Sequence, residues 1–347
     1  MTSTSIPTGD NTLLKESKSD RKISAVERFL GPENYRIVTG LLKTPASIAG
    51  FILIGIFVLI AIFAPAIIPP VGNDPYAIPR DGFSGEPRGM GSEWKRNVPE
   101  TVPGWYKLIT GKDVWVHLLG TAQGQYDIFY GIIWGTRTAF RTGLIVVVST
   151  FLIGIIVGSI SGFYGGVVDN ILMRIVDIFM TLPFILMALI LAAVLTPVIG
   201  RTLYPSIIAL VSFGWMGYAR IIRGDILSVK ERDFVLAARV VGVRDYRILF
   251  RHILPNAIFP TLVLASLAIG DVVLSFAALS FLGIGTQVGY ADWGQILSFA
   301  RNWITSLQTY WYIVVWPGLT LVFFVMGWNL VGDAMRDVLD PRMRGKS

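Results

Sequence analysis

Six stretches of the chain run nearly free of charge, at 44–73, 142–168, 178–200, 202–219, 253–270 and 302–332. Each reaches or approaches the roughly 20 apolar residues that carry an α-helix across about 30 Å of hydrocarbon. The pattern predicts an all-α membrane protein with six transmembrane helices. The run at 202–219 is the shortest, and the fifth is interrupted by Asp271 before apolar residues resume through Leu282.

The polar intervals divide the chain. Residues 1–46 read as a tail, polar and Ser/Thr/Lys-rich at 1–25 and suited to a short surface helix at 26–46. The first helix is expected at 47–70. It ends in Ala64-Pro65-Ala66, a cleavage-like pattern, but the long polar lead and the length of the apolar run mark it as an uncleaved anchor. Residues 71–138 then form a long loop in which Pro75, Pro79, Pro87, Pro99 and Pro103 alternate with Gly82, Gly85, Gly89, Gly91 and Gly104, favouring turns over long regular elements. Trp94, Trp105 and Trp115 argue that this loop packs on the helices, as a structural cap or as a contact for a partner. Five further helices make a core at 139–333, and 334–347 is a second tail.

Within the core, Gly154, Gly158 and Gly162 stand four apart on one stripe of the second helix, a repeated GxxxG that allows close backbone approach. Pro183 and Pro317 remove backbone donors from the third and sixth spans and mark candidate kinks. The connection at 220–252 is far longer than a turn. In it Ile226, Val229, Phe234, Leu236, Ala237 and Val240 interleave with Lys230, Glu231, Arg232 and Arg239, a partly apolar helix that Gly242 can end in a left-handed cap. A second short helix fits Asp245 to Arg251, with Tyr246, Leu249 and Phe250 apolar, and Pro255 begins the fifth span. The helix pair at 226–251 reads as a docking element, with a solvated connector as the plainer alternative.

Composition agrees with the pattern: 53% of residues are hydrophobic and 15% charged, more apolar surface than one soluble core requires. The net charge of +7 is placed asymmetrically, which turns the reading from nucleic acid to membrane orientation. Seven Lys or Arg lie in 1–46, Arg174 in a short connection, eight in 220–252 and four after 333. Six helices put these clusters on one side, and the positive-inside rule makes it the cytoplasm, with both termini inside and 71–138 extracytoplasmic. Eight other bases, from Arg80 to Arg141, lie in the long loop and its exit, near Asp74, Asp81, Glu86, Glu93, Glu100, Asp113 and Asp127. The last two are Arg201 and Arg301.

Zero cysteines exclude disulfides and thiolate metal sites, and two histidines, His117 and His252, are too few for a His-rich site. Neither GxxxxGK[ST] nor HExxH occurs, and GIGTQVG at 283–289 has the wrong spacing for a nucleotide fingerprint. No cofactor and no catalytic constellation is expected. If ATP is used, another chain binds it.

Ala237-Ala238, Gly242 and Leu254-Pro255 resemble the EAA loop of the permease subunits of ABC importers, with Leu236 standing where that motif usually has Glu. HLLGTAQGQYDIFYGIIWGTRTAF at 117–140 resembles the HPLGTDxxGRDxxSRLxxGxRxSL signature of the dipeptide, oligopeptide and nickel importer permeases. GFYGGVVDNILMRIVDIFMTLP, ALSFLGIG, DWGQIL and NLVGDAMRDVLDPRMR resemble further blocks of the C-type partner in that family. The resemblance implies a type I ABC importer permease fold in the plasma membrane. Its partners would be a second permease, two ATP-binding subunits at the cytoplasmic face, an extracytoplasmic solute-binding protein and membrane lipid. It also implies that Leu236, Ala237, Ala238, Gly242, Leu254 and Pro255 belong to the ATPase-coupling segment, and that the solute is a peptide or a related molecule.

A charge at the bilayer centre costs about 2.5–3.5 kcal/mol on insertion scales, so Asp271 is a candidate for the translocation path, or else hydrogen-bonds a neighbouring helix. Arg174 and Asp177 are three apart and suited to a local ion pair. An ion-coupled secondary transporter is the alternative reading; it would place coupling carboxylates at the midplane and show repeated halves, against Asp271 alone and no obvious repeat here.

Overall fold

The computed structural model describes residues 44–339. Its elements are α1 (Pro45–Ile67), α2 (Gly104–Thr110), α3 (Ile128–Tyr164), α4 (Gly166–Met180), α5 (Phe184–Ile199) and α6 (Tyr204–Lys230). After these come α7 (Asp233–Val240), α8 (Asp245–Ile248), a π-turn at Leu249–Ile253, α9 (Leu254–Phe281), α10 (Trp293–Phe299), a 3₁₀ turn at Ala300–Ser306, α11 (Leu307–Tyr310) and α12 (Tyr312–Leu339). The helices α1, α3, α6, the α8–α9 run and α12 are each long and apolar enough to cross a bilayer, and α4 with α5 forms a further, broken unit bent by 88°. The surface helix expected at 26–46 lies outside the described residues apart from its last three.

Several boundaries move, each for a local reason. The second span begins at Ile128 rather than 139, because Asp127 caps it by accepting the Tyr130 N–H at 2.6 Å. Arg137, which interrupts the apolar run, is accommodated inside the helix by donating to the Ala61 carbonyl of α1 at 2.5 Å while lying 5.2 Å over the Trp134 ring. The third span, expected at 178–200, is two helices broken at Thr181–Pro183, with Pro183 preceding α5 where its missing N–H is no loss. The fourth helix extends past 219 to Lys230, and the sixth begins at Tyr312 rather than 302 and runs past 333.

Small residues set the helix contacts. A Cβ placed on Gly158 would lie 2.1 Å from Ile222 Cγ2 and 2.4 Å from the Ala219 carbonyl, so α3 and α6 touch backbone to backbone there. Gly154 faces the Trp215 carbonyl and Tyr218, and Gly162 faces the Arg223 carbonyl, along the same stripe. Gly50 of α1 approaches Val331 of α12, and Gly294 of α10 approaches the Ala277 carbonyl of α9. Where lipid offers no hydrophobic contrast, such close contact is what holds helices together. Phe57, Trp293 and Phe324 fill the junction of α1, α10 and α12, with ring centroids 5.2–5.9 Å apart.

The segment 68–127 packs over one end of the bundle, the loop pole. It contains one short helix, α2, and isolated antiparallel bridges rather than a sheet. Ile78 N–H donates to Gly289 and Ala291 N–H to Tyr76, each at 2.7 Å, stitching this cap to the α9–α10 loop. Trp94, Tyr106 and Trp115 are buried in it.

Leu at position 158 is expected to abolish the monodisperse folded chain extracted from membranes, and Ala to reduce it. Gly217→Ala, where no atom lies within 4 Å of the added Cβ, should leave the yield unchanged. Equal yields for Gly158→Leu and Gly217→Ala would contradict the backbone contact.

Candidate functional site

At the opposite end, the helix pair is clamped to the bundle. Val235 of α7 and Ile248 of α8 are fully buried against Ile222, Ile226 and Val229 of α6, Phe163 of α3 and Ile253 beneath α9. Gly242 ends α7 at φ 81°, with its N–H donating to Arg239 and the Val243 N–H to Ala238 at 2.9 and 3.1 Å. This is a Schellman turn, whose left-handed position suits glycine. The second helix does not stop at Arg251: it continues through the π-turn into α9. Pro255 in the first turn of α9 has no N–H to give, and a π-turn just before it absorbs the resulting mismatch.

The outer side of the pair is apolar and without a partner among the described residues. Leu236 and Val240, one turn apart on α7, are 47% and 88% exposed, and Val241 is 81% exposed. Phe234, Tyr246 and Phe250 are also exposed, and Arg232, Arg239, Arg244, Arg247 and Arg251 surround them. Of the residues singled out in the sequence, Leu236, Ala237, Gly242 and Pro255 are exposed, whereas Ala238 and Leu254 are half-buried against the chain's own apolar cluster. Ala238 therefore faces inward, and its neighbour Leu236 takes the outward place.

Ion pairs that sequence spacing does not indicate tie this end together. Arg223 of α6 grips Asp169 of α4 through two hydrogen bonds of 2.5 Å, a bidentate fork that also brings in the Ser161 hydroxyl. Asp177 pairs with Arg220 rather than with Arg174, because the break before α5 lays α4 alongside α6. The Lys230 ammonium donates to the Phe163 carbonyl at the end of α3.

Midway along the bundle a cavity of about 330 Å³ opens on the surface among Thr150, Phe184, Gly214, Tyr218, Asp271 and Ser275. Asp271 lies about 25 Å along α9 from Leu254 at 1.5 Å per residue. Its side chain is exposed to this groove and makes no ion pair among the described residues.

The cap at the loop pole holds a buried charge cluster that the sequence does not announce. His117 donates from Nδ1 to Asp127 at 2.6 Å and from Nε2 to Asp81 at 3.2 Å, and its ring stacks on Trp94 at 5.0 Å. Asp81 also accepts the N–H groups of Arg96 and Lys95 at 2.6 and 2.7 Å and pairs with Arg88. Burial alone would push the imidazole down, but the hydrogen bonds and charges of Asp127 and Asp81 outweigh it and hold His117 above its usual value. Burial likewise pushes Asp81 up, and the two backbone N–H groups, His117 and Arg88 bring it below the usual carboxylate range. Because Asp127 caps α3, this cluster fastens the cap to the bundle.

Residues 154–345 match the family described as binding-protein-dependent transport system inner membrane component. The chain is similar to the dipeptide transport system permease protein DppC of Alkalihalophilus pseudofirmus, 34% identical over 304 residues that make up 88% of each chain. It is also similar to the oligopeptide transport system permease protein OppC of Bacillus subtilis, 33% identical over 228 residues, 66% of this chain and 72% of that one. A solved chain of the inward-facing MetNI methionine ABC transporter aligns with a TM-score of 0.49 at 20% identity, covering 61% of this chain and 97% of that one.

The His117 cluster generates a pH dependence. A raised imidazole contributes stability that is complete below its unfolded value, about 6.5, and is lost as pH rises through the higher folded value. The lowered Asp81 contributes stability present above about 3.9 and lost as pH falls through its folded value. Limited proteolysis of the cap in membranes is expected to be slow near pH 6 and to accelerate on the alkaline side. In His117→Gln, cleavage at pH 6 should be about tenfold faster, from a lost charge-assisted hydrogen bond, and the alkaline transition should disappear. A pH-independent cleavage rate in the unmodified chain would remove the cluster's role.

Proposed function

The chain belongs to the family of binding-protein-dependent transport system inner membrane components, and on that premise we propose that it is the permease subunit of an ATP-driven importer of peptides or related solutes. The observation that carries the mechanism is the exposed apolar surface of Leu236, Val240 and Val241 on a helix pair anchored to three membrane helices. Such a surface suits a groove on an ATP-binding subunit, with the surrounding arginines against acidic groups on its rim or against the anionic inner leaflet. Closure of two such subunits around ATP would push on the pair. The buried contacts of Val235, Ile248 and Ile253 pass that displacement to α6 and α9, whose facing surfaces form the central groove.

The groove containing Asp271 would meet a second permease subunit and enclose the solute path between them. Asp271 then offers a carboxylate to the amino terminus of a peptide. Leu59, Ile62 and the other exposed residues of α1 face lipid in this reading. The concentration of bases at 1–46, 220–252 and 334–347 supports a cytoplasmic helix-pair pole and cytoplasmic tails, and the loop pole then receives solute from an extracytoplasmic binding protein. ATP hydrolysis belongs to the partner subunits.

Two measurements test this. Leu236→Glu combined with Val240→Glu should leave the chain inserted while co-purified ATPase and ATP-driven uptake fall about tenfold or more, as for a central contact of an interface; retained ATPase would refute the docking surface. Ala238→Asp, by contrast, should lower the yield of folded chain. For orientation, single cysteines at the exposed Ser84 and Ser228 should differ: a membrane-impermeant thiol reagent applied from outside labels the first and spares the second, and the reverse pattern would invert the topology.

A further inference from the structure

Arg201 and Arg301 are the two bases that neither the cytoplasmic clusters nor the long loop accounts for, and they stand 100 residues apart in the chain. The fold brings both to the wall of one cavity of about 240 Å³ at the loop pole. This cavity lies between the turn before α6, the end of α9, the 283–292 loop, α10 and the 3₁₀ turn. Gln123 of the cap reaches its rim, where the Asn302 side-chain amide donates to Gln123 Oε1 at 2.7 Å.

The hydrogen bonds sort the lining into amides already engaged and guanidinium donors still free. Gln295, 6% exposed, accepts the Gly289 N–H at 2.7 Å and donates to the Thr286 hydroxyl and the Gln287 carbonyl at 3.0 and 2.8 Å. Arg301 uses one N–H on the Ser298 carbonyl at 3.2 Å and lies 5.2 Å over the Phe281 ring, which leaves the rest of its fork available. No Asp or Glu lines the cavity, and neither arginine has a carboxylate partner among the described residues. Nor do they neutralise the nearby buried Asp292. That carboxyl is held by the Gly294 N–H at 3.1 Å, with the Ser280 hydroxyl and the Gln295 N–H beside it and no arginine among its neighbours.

Two planar forks lining one polar cavity with no Asp or Glu in its wall among the described residues offer the paired N–H donors by which an oxyanion is bound. The volume lies below the roughly 300–1,000 Å³ of a pocket that encloses a whole ligand, so it suits one carboxylate and the atoms next to it. We propose that this cavity binds a single carboxylate presented from the extracytoplasmic side. The proposal rests on the orientation and import reading above. The carboxylate is either the free end of the solute or an acidic side chain of the protein that delivers it.

The test uses the full chain assembled with its partner permease and ATP-binding subunits in lipid nanodiscs. Calorimetric titration with alanyl-alanine and with its carboxyl-terminal amide should show the acid binding about tenfold or more tightly, the scale of a charge-assisted bidentate contact. The preference should vanish in the Arg201→Gln, Arg301→Gln double variant and persist in part when both are Lys, which keeps the charge without the fork. Equal binding of acid and amide, or an undiminished preference in the Gln variant, overturns the proposal. Uptake into proteoliposomes then separates the sources. A solute carboxylate predicts that the Gln variant loses discrimination between the two peptides, with half-saturation by binding protein unchanged. An acidic side chain of the delivering protein predicts a rise in that half-saturation of tenfold or more for either peptide. If the unmodified complex shows no ATP-driven uptake, the import reading fails while the titration result stands.

Discussion

The architecture depends on backbone contact between α3 and α6. At Gly158 the two helices approach so closely that a single methyl group would overlap Ile222 and the Ala219 carbonyl. In a bilayer, where side chains gain little by leaving lipid for protein, this density of contact is the main source of helix association. It fixes α6 along most of its length, and α6 in turn carries much of what the molecule presents to others. Its middle forms a wall of the central groove through Gly214 and Tyr218, and its last turns hold the ion pairs to α4 and the base of the helix pair.

A rigid α6 gives the helix pair a mechanical meaning. A surface that merely dangled from the bundle could bind a partner without moving anything. Here the inner faces of α7 and α8 are buried against α3, α6 and the start of α9, and the Arg223–Asp169 fork extends the same rigid body to α4. The continuous run from α8 through the π-turn into α9 adds a second direct path, ending beside Asp271. Displacement at the proposed docking surface would thus reach two walls of the groove together.

The loop pole is organised by charge instead of by close-packed glycine. His117 between Asp81 and Asp127, with Arg88 outside them, balances two buried carboxylates with two bases and fastens the cap to the first turn of α3. Bridges from the same cap to the 283–292 loop bring Gln123 to the cavity flanked by Arg201 and Arg301. The cap therefore shapes one wall of that cavity as well as covering the bundle.

The amino-acid sequence alone discloses the membrane class, the order of the apolar segments, the placement of the bases and the small-residue stripe on the second helix. These follow from local composition, since the bilayer acts on each segment almost independently of the others. It also marked the helix pair and the left-handed turn at Gly242, because periodicity and a glycine after an apolar run are local signals. It took the folded chain to reveal that α4 and α5 break at Thr181–Pro183, that Asp177 meets Arg220, that Ala238 faces inward and Leu236 outward, and that His117 lies buried between two carboxylates. Each of these depends on which distant residue arrives within a few ångströms, a quantity set by helix crossing and chain reversal. Arg201 and Arg301 illustrate the limit: in sequence they are two isolated bases, and their shared cavity exists only once α6, α9 and α10 have packed.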